Sequence, residues 1–101
     1  MFIYNVTIKV REEIKLSWLS WMQEEHIPEV IGTGCFYEST ILRLLEVDDS
    51  EGPTFAVQYK AESKAAYNQY IEKYAEALRK KSYEKWGDSF IAFRSVMQVV
   101  N

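Results

Sequence analysis

The chain has 101 residues, 48% of them hydrophobic and 15% aromatic, a composition that excludes disorder and predicts one domain spanning residues 1–101. A net charge of −3 supplies no electrostatic footprint for nucleic acid or for an anionic membrane surface. The single cysteine excludes an internal disulfide and fits a reducing compartment.

Residues 2–10 alternate Phe2, Tyr4, Val6, Ile8 and Val10 against Ile3, Asn5, Thr7 and Lys9, the pattern of a strand with one apolar and one mixed face. From about Glu12 the period changes, and Ile14, Trp18, Trp21 and Met22 fall on one stripe of a helix. Continuing that helix would set Glu25 inside the stripe, and Pro28 disfavours the α conformation at Ile27. The helix is therefore expected to end near Glu25 or His26, with Pro28 opening a short helical turn closed by Gly32 or Gly34.

A second strand is expected over residues 35–47, although both of its phases carry leucine or isoleucine and its facing stays open between Tyr37 and Glu38. Asp48 to Pro53 form a polar connection, and Thr54 to Ala61 make a third strand with Phe55, Val57 and Tyr59 on one face. Ser63 is a plausible N-cap for a helix that carries Tyr67, Tyr70, Ile71, Tyr74 and Leu78 on one face and runs to about Trp86. Arg79, Lys80, Lys81 and Lys85 lie late in this helix, where cations complement its dipole. Gly87 suits the residue beyond its end, and Phe90 to Val100 close the chain as a fourth strand.

The order β-α-β-β-α-β predicts an α+β, ferredoxin-like fold: a four-stranded antiparallel sheet with both helices on one side. The other side of that sheet would expose about 400 Å² of mixed apolar surface, at the edge of what monomers leave uncovered. A second copy packed face to face would cover it, so a homodimer through the open sheet face is expected. No run approaches 18 apolar residues, and the N-terminus lacks the basic and small-residue signals of a leader, so the expectation is a cytoplasmic protein without a membrane partner.

His26 is the leading candidate for chemistry, because an imidazole suits proton transfer and Glu24, Glu25 or Glu29 could orient it; the plainer alternative is a helix-end cap. Arg94 interrupts a largely apolar strand on the face of Phe90, Ala92 and Val96, and there it needs an acidic partner or an anionic ligand. Asn5 and Gln58 are its expected polar neighbours, and Trp18 and Met22 are expected to line the same pocket. Cys35 reads as a buried inert thiol, and no ligand spacing for a metal and no phosphate-binding or nucleophile motif is present. No cofactor is expected.

The segment W-x-x-W-M-x-x-E-H-I-P-E-V-x-x-T-G-x-F at residues 18–36 and the run F-x-A-F-R at residues 90–94 resemble an uncharacterised bacterial family of about this length. That family resembles the dimeric α+β barrel superfamily, which includes antibiotic-biosynthesis monooxygenase-like proteins. The resemblance implies the ferredoxin-like fold and the dimer, and it transfers no catalytic residue. Three functions remain open: a dimer binding a small apolar or weakly acidic molecule between sheet and helices, a cofactor-independent oxygenase or isomerase with His26 as base, and a non-catalytic protein-interaction dimer.

Overall fold

The computed structural model describes residues 1–101. Its elements are β1 (Phe2–Val10), α1 (Lys15–Trp21), a π-helical turn (Met22–His26), α2 (Ile27–Gly32), β2 (Glu38–Arg43), β3 (Thr54–Ala61), α3 (Lys64–Lys73), α4 (Ala75–Trp86) and β4 (Phe90–Gln98). The strands form one antiparallel sheet in the order β2-β3-β1-β4. This is the ferredoxin-like α+β fold that the alternation of strand and helix patterns implies.

The inward face of the sheet carries Tyr4, Val6, Ile8 and Val10 from β1 and Phe55, Val57, Tyr59 and Ala61 from β3, all buried. Against it pack Trp18, Trp21 and Met22 from the first helical segment, Val30 from α2, Tyr70 from α3 and Leu78 from α4. Phe36 and Tyr70 meet edge to face at 4.9 Å and both contact Tyr4, so one end of the core is an aromatic cluster. Ser63 caps α3 by accepting a 3.1 Å hydrogen bond from the Ala66 N–H, and the Gly87 N–H closes α4 on the Tyr83 carbonyl at a backbone φ of +58°.

Four expectations are corrected. The first helix does not stop at Glu25 or His26: the chain stays helical from Lys15 to Gly32, passing Pro28 through a wider turn in which the Ile27 N–H reaches the Met22 carbonyl. The second strand is half as long as residues 35–47 allow, because Cys35 and Phe36 turn into the core and Glu46 adopts a left-handed φ of +59°. Its facing is settled by register: Glu38 lies opposite Lys60 on the open side and the two side chains pair at 3.4 Å. The long helix after Ser63 divides at Tyr74, whose φ of −126° leaves the helical range. The fourth strand ends at Gln98 rather than Val100, where its partner β1 runs out at Phe2.

The outward face is crossed by a polar row, Thr40–Gln58–Asn5–Ser95, in which the Gln58 amide donates to Asn5 Oδ1 at 3.3 Å and Asn5 donates to Thr7 at 3.0 Å. Beside it Phe93 and Ile91 of the edge strand β4 are 70% and 60% exposed, and Leu42 and Met97 are also open to solvent. No helix of the chain is long and apolar enough to cross a membrane.

Gly52 is the one glycine whose neighbours forbid a side chain. Its φ is +146°, and a Cβ there would overlap the Val10 carbonyl and stand 2.8 Å from the Glu12 amide, where the chain before β3 is stitched to the end of β1. Gly52→Ala is expected to cost roughly 2–4 kcal/mol in urea unfolding, whereas Gly32→Ala, which meets open space, should be near neutral.

Candidate functional site

Between the sheet and the helices, toward the β4 edge, lies a cleft with a cavity of about 40 Å³. Its floor is Tyr4, Val6 and Ile8 of β1 with Phe90, Ala92 and Arg94 of β4; its roof is Trp18, Met22, His26, Tyr70, Arg79 and Ser82. Four of the six residues singled out in the sequence therefore meet here: Trp18, Met22, His26 and Arg94.

Asn5 and Gln58 do not join them. Arg94 lies opposite Val6 in the β1–β4 register and so points to the helices, whereas Asn5 lies opposite both Ser95 and Gln58 on the outward face. Arg94's expected polar neighbours are separated from it by the thickness of the sheet, because adjacent strand residues face opposite sides.

The π-helical turn is what aims His26 at this cleft. With α-helical spacing the stripe of Trp18, Trp21 and Met22 would continue through Glu25 and Glu29. The widened turn carries it through positions 18, 22, 26 and 30 instead, so His26 is half-buried, Val30 is fully buried, and Glu25 and Glu29 are exposed. Pro28 favours the widening, since it has no N–H to give the Glu24 carbonyl and its ring crowds that oxygen in a regular α turn.

His26 stacks on Trp21 with ring centroids 4.8 Å apart and 24° between planes. Burial pulls its pKa from 6.5 down to about 4; Glu29 opposes the change, and Arg94 and Lys81 add to it. The expected carboxylate orienters do not serve: Glu24 and Glu25 are solvent-exposed and Glu29 accepts from Lys81 at 2.8 Å. At neutral pH the ring is uncharged and presents a hydrogen-bond acceptor.

Two residues of the site were not singled out in the sequence. Arg79 donates to the buried Tyr4 hydroxyl at 3.0 Å, and Tyr70 has its phenol pKa raised by burial and by Tyr4, against the opposing charges of Arg79 and Arg94. Arg79 reads as one of a basic cluster, yet it shares a helical stripe with Ala75, Ser82 and Trp86, spaced i, i+4, i+7 and i+11, which was the available signal. Cys35 is buried and does not line this cleft, its Sγ 4.0 Å from the Thr33 carbonyl, and no three His, Cys, Asp or Glu side chains converge in a metal-holding group.

A domain of unknown function, DUF4286, matches residues 1–100. The chain belongs to the DUF4286 family. No curated protein matches its sequence. Among solved structures, it is similar to an ethyl tert-butyl ether d (EthD) family protein from Bacillus halodurans C-125, at 12% identity and a TM-score of 0.70, over 99% of this chain and 100% of that one. A dimeric ferredoxin-like protein from an uncultured marine organism matches at 13% identity and a TM-score of 0.69, over 99% and 95% of the two chains. HapK from Hahella chejuensis matches at 11% identity and a TM-score of 0.71, over 99% and 93%. At such identities the likeness of this DUF4286 chain to all three is one of fold.

The neutral imidazole has a consequence for stability. The folded state holds a proton on His26 less tightly than the unfolded chain does, so acid favours unfolding: stability falls as pH drops from about 6.5 to about 4 and the loss is complete below that. The drop in pKa from 6.5 to about 4 corresponds to a loss of up to roughly 3 kcal/mol. Urea unfolding of wild type and His26→Gln at pH 7 and pH 4 isolates it: wild type should lose more stability than the variant. Equal losses would mean that the fold does not lower the imidazole's pKa.

Proposed function

We propose that this DUF4286 protein is a homodimeric, one-domain binding protein that takes a small apolar or weakly acidic molecule into the cleft between sheet and helices. The observation that carries this reading is the convergence of His26, Arg79 and Arg94 on a cavity walled, apart from Ser82, by aromatic and aliphatic side chains. Polar groups aimed into an apolar recess are the usual composition of a small-molecule site.

The volume sets a condition. A cavity of about 40 Å³ holds roughly three waters, well short of the ~300 Å³ typical of sites that enclose a ligand. A ligand therefore inserts one end, or the cleft opens at the β4 edge, where Arg94 and Val96 are exposed. With its pKa lowered to about 4, His26 is a weak base at pH 7, which favours binding over proton abstraction in an oxygenase or isomerase.

The dimer rests on the outward face of the sheet. Phe93, Ile91, Met97 and Leu42 expose apolar surface there, β4 is an unprotected nine-residue edge strand, and a protein of the same fold is described as dimeric. A second copy laid face to face removes the exposed rings from water and encloses the polar row centred on Asn5 and Gln58.

Two experiments test the two halves of the reading. Sedimentation equilibrium should give twice the chain mass for wild type and a monomer for Phe93→Glu; a monomeric wild type, or a dimeric variant, refutes the interface. A ligand-observed NMR screen of small aromatic acids, phenols and amides should find binders that Ala92→Trp, which fills the cleft floor, displaces. Finding no binder, or binders indifferent to Ala92→Trp in a variant with wild-type circular dichroism, refutes the cleft.

A further inference from the structure

The charge in the cleft is opposite in sign to that of the molecule as a whole. The chain carries 15 acidic and 12 basic residues, yet two arginines and no carboxylate line this cavity. The four ion pairs of the protein, Lys15–Glu12, Arg43–Asp49, Lys60–Glu38 and Lys81–Glu29, all lie elsewhere. Glu29, the acid that acts on His26, is held by Lys81 at 2.8 Å and so does not neutralise the cleft.

The two guanidiniums arrive from opposite walls. Arg94 rises from the sheet, opposite Val6, and Arg79 descends from α4 to donate to the Tyr4 hydroxyl at 3.0 Å. One Arg79 hydrogen bond goes to that phenol, which leaves most of the five N–H donors on each guanidinium for another acceptor. Both side chains keep contact with solvent, so an incoming anion meets them at the mouth without first crossing an apolar wall.

Resting on the binding reading above, we propose that the cleft is an anion site that takes the carboxylate of a small organic acid between Arg79 and Arg94. The carboxylate replaces the roughly three waters that about 40 Å³ can hold, while the body of the acid extends toward the open β4 edge. Planar guanidinium forks match a carboxylate's two oxygens. The apolar floor disfavours a fully hydrated phosphate, whose dehydration it cannot offset. His26, uncharged at neutral pH, is left to accept a hydrogen bond from a hydroxyl on the ligand.

The probes are sodium benzoate, its neutral isostere benzamide, and inorganic phosphate, each titrated into the full chain while the Trp18 and Trp21 indole N–H resonances are followed by NMR. Benzoate should bind at least tenfold more tightly than benzamide, and phosphate should not compete with it. Arg94→Gln should weaken benzoate tenfold or more and weaken benzamide far less. Arg79→Gln, which keeps an amide donor near Tyr4, should do the same, and Lys73→Gln, which removes one positive charge from an exposed residue that does not line the cleft, should not. Benzamide binding as tightly as benzoate, or benzoate unaffected by both arginine variants, overturns the anion site while leaving an apolar cleft standing. Phosphate outcompeting benzoate overturns the ligand class. If neither aromatic probe moves the indole resonances, the anion site is overturned outright, whereas the cleft itself fails only if the wider screen with Ala92→Trp also finds nothing.

Discussion

The candidate site depends on a single irregular turn in the first helical segment. A regular α-helix through Pro28 would set the proline ring against the Glu24 carbonyl and leave that oxygen without its donor. It would also direct Glu25 toward the sheet, at the cost of an unpaired carboxylate in the core. Stopping the helix is one remedy; widening it by a π-helical turn is the other, and the chain takes the second. Within that turn the Ile27 N–H bonds the Met22 carbonyl, five residues back, in place of the Gln23 carbonyl that an α turn would give it. The wider turn rotates everything after Met22, so Val30 replaces Glu29 in the core and His26 replaces Glu25 beside the cleft. The irregular turn and the placement of the only histidine are the same event.

That explains why the sequence was legible in some places and not in others. β1, β3, the Ser63 cap and the Gly87 terminus follow from period-2 alternation or from a single residue with one strong preference, and all appear where those preferences put them. Glu25 and Pro28 correctly marked a disturbance in the first helix, but the disturbance has two solutions of similar local cost, and only packing on the sheet chooses between them. The end of β2 was hidden for a different reason. Leucine and isoleucine occupy both phases of residues 41–45, so hydrophobicity could not show that Glu46 would leave the extended region. The division of the long helix at Tyr74 has no signal that we can name.

Within the site, reading polar residues strand by strand failed where the register mattered. Asn5, Gln58 and Arg94 are all polar interruptions of apolar strands, and the sequence offers no reason to separate them. Pairing Val6 with Arg94 and Asn5 with Ser95 puts them on opposite sides of the sheet. The other cation that lines the cleft with Arg94 is Arg79, one of a run of solvent-exposed cations whose other members do not line it. Two like charges facing one recess repel each other, and the one side-chain hydrogen bond made there by either guanidinium is from Arg79 to the Tyr4 hydroxyl. Structural ion pairs elsewhere in this chain join unlike charges. The cleft is thus where the molecule departs from its own pattern, and such local departures are more common at binding sites than in scaffolds.

β4 links the cleft to the outward face. Its even-numbered residues Phe90, Ala92 and Arg94 line the cleft, and its odd-numbered residues Ile91, Phe93 and Met97 form the exposed apolar surface. A slip of one residue would exchange Arg94 with Phe93, placing a guanidinium in the proposed dimer interface and a phenyl ring in the cleft, so both functions would be lost together. The register is held only along one side, by nine paired positions with β1, because β4 is an edge strand. A partner sheet packed over Phe93 would penalise the slipped register through a buried charge, at several kcal/mol by ordinary desolvation costs. On this reading the dimer does more than cover apolar surface: it holds Arg94 on the ligand side of the sheet.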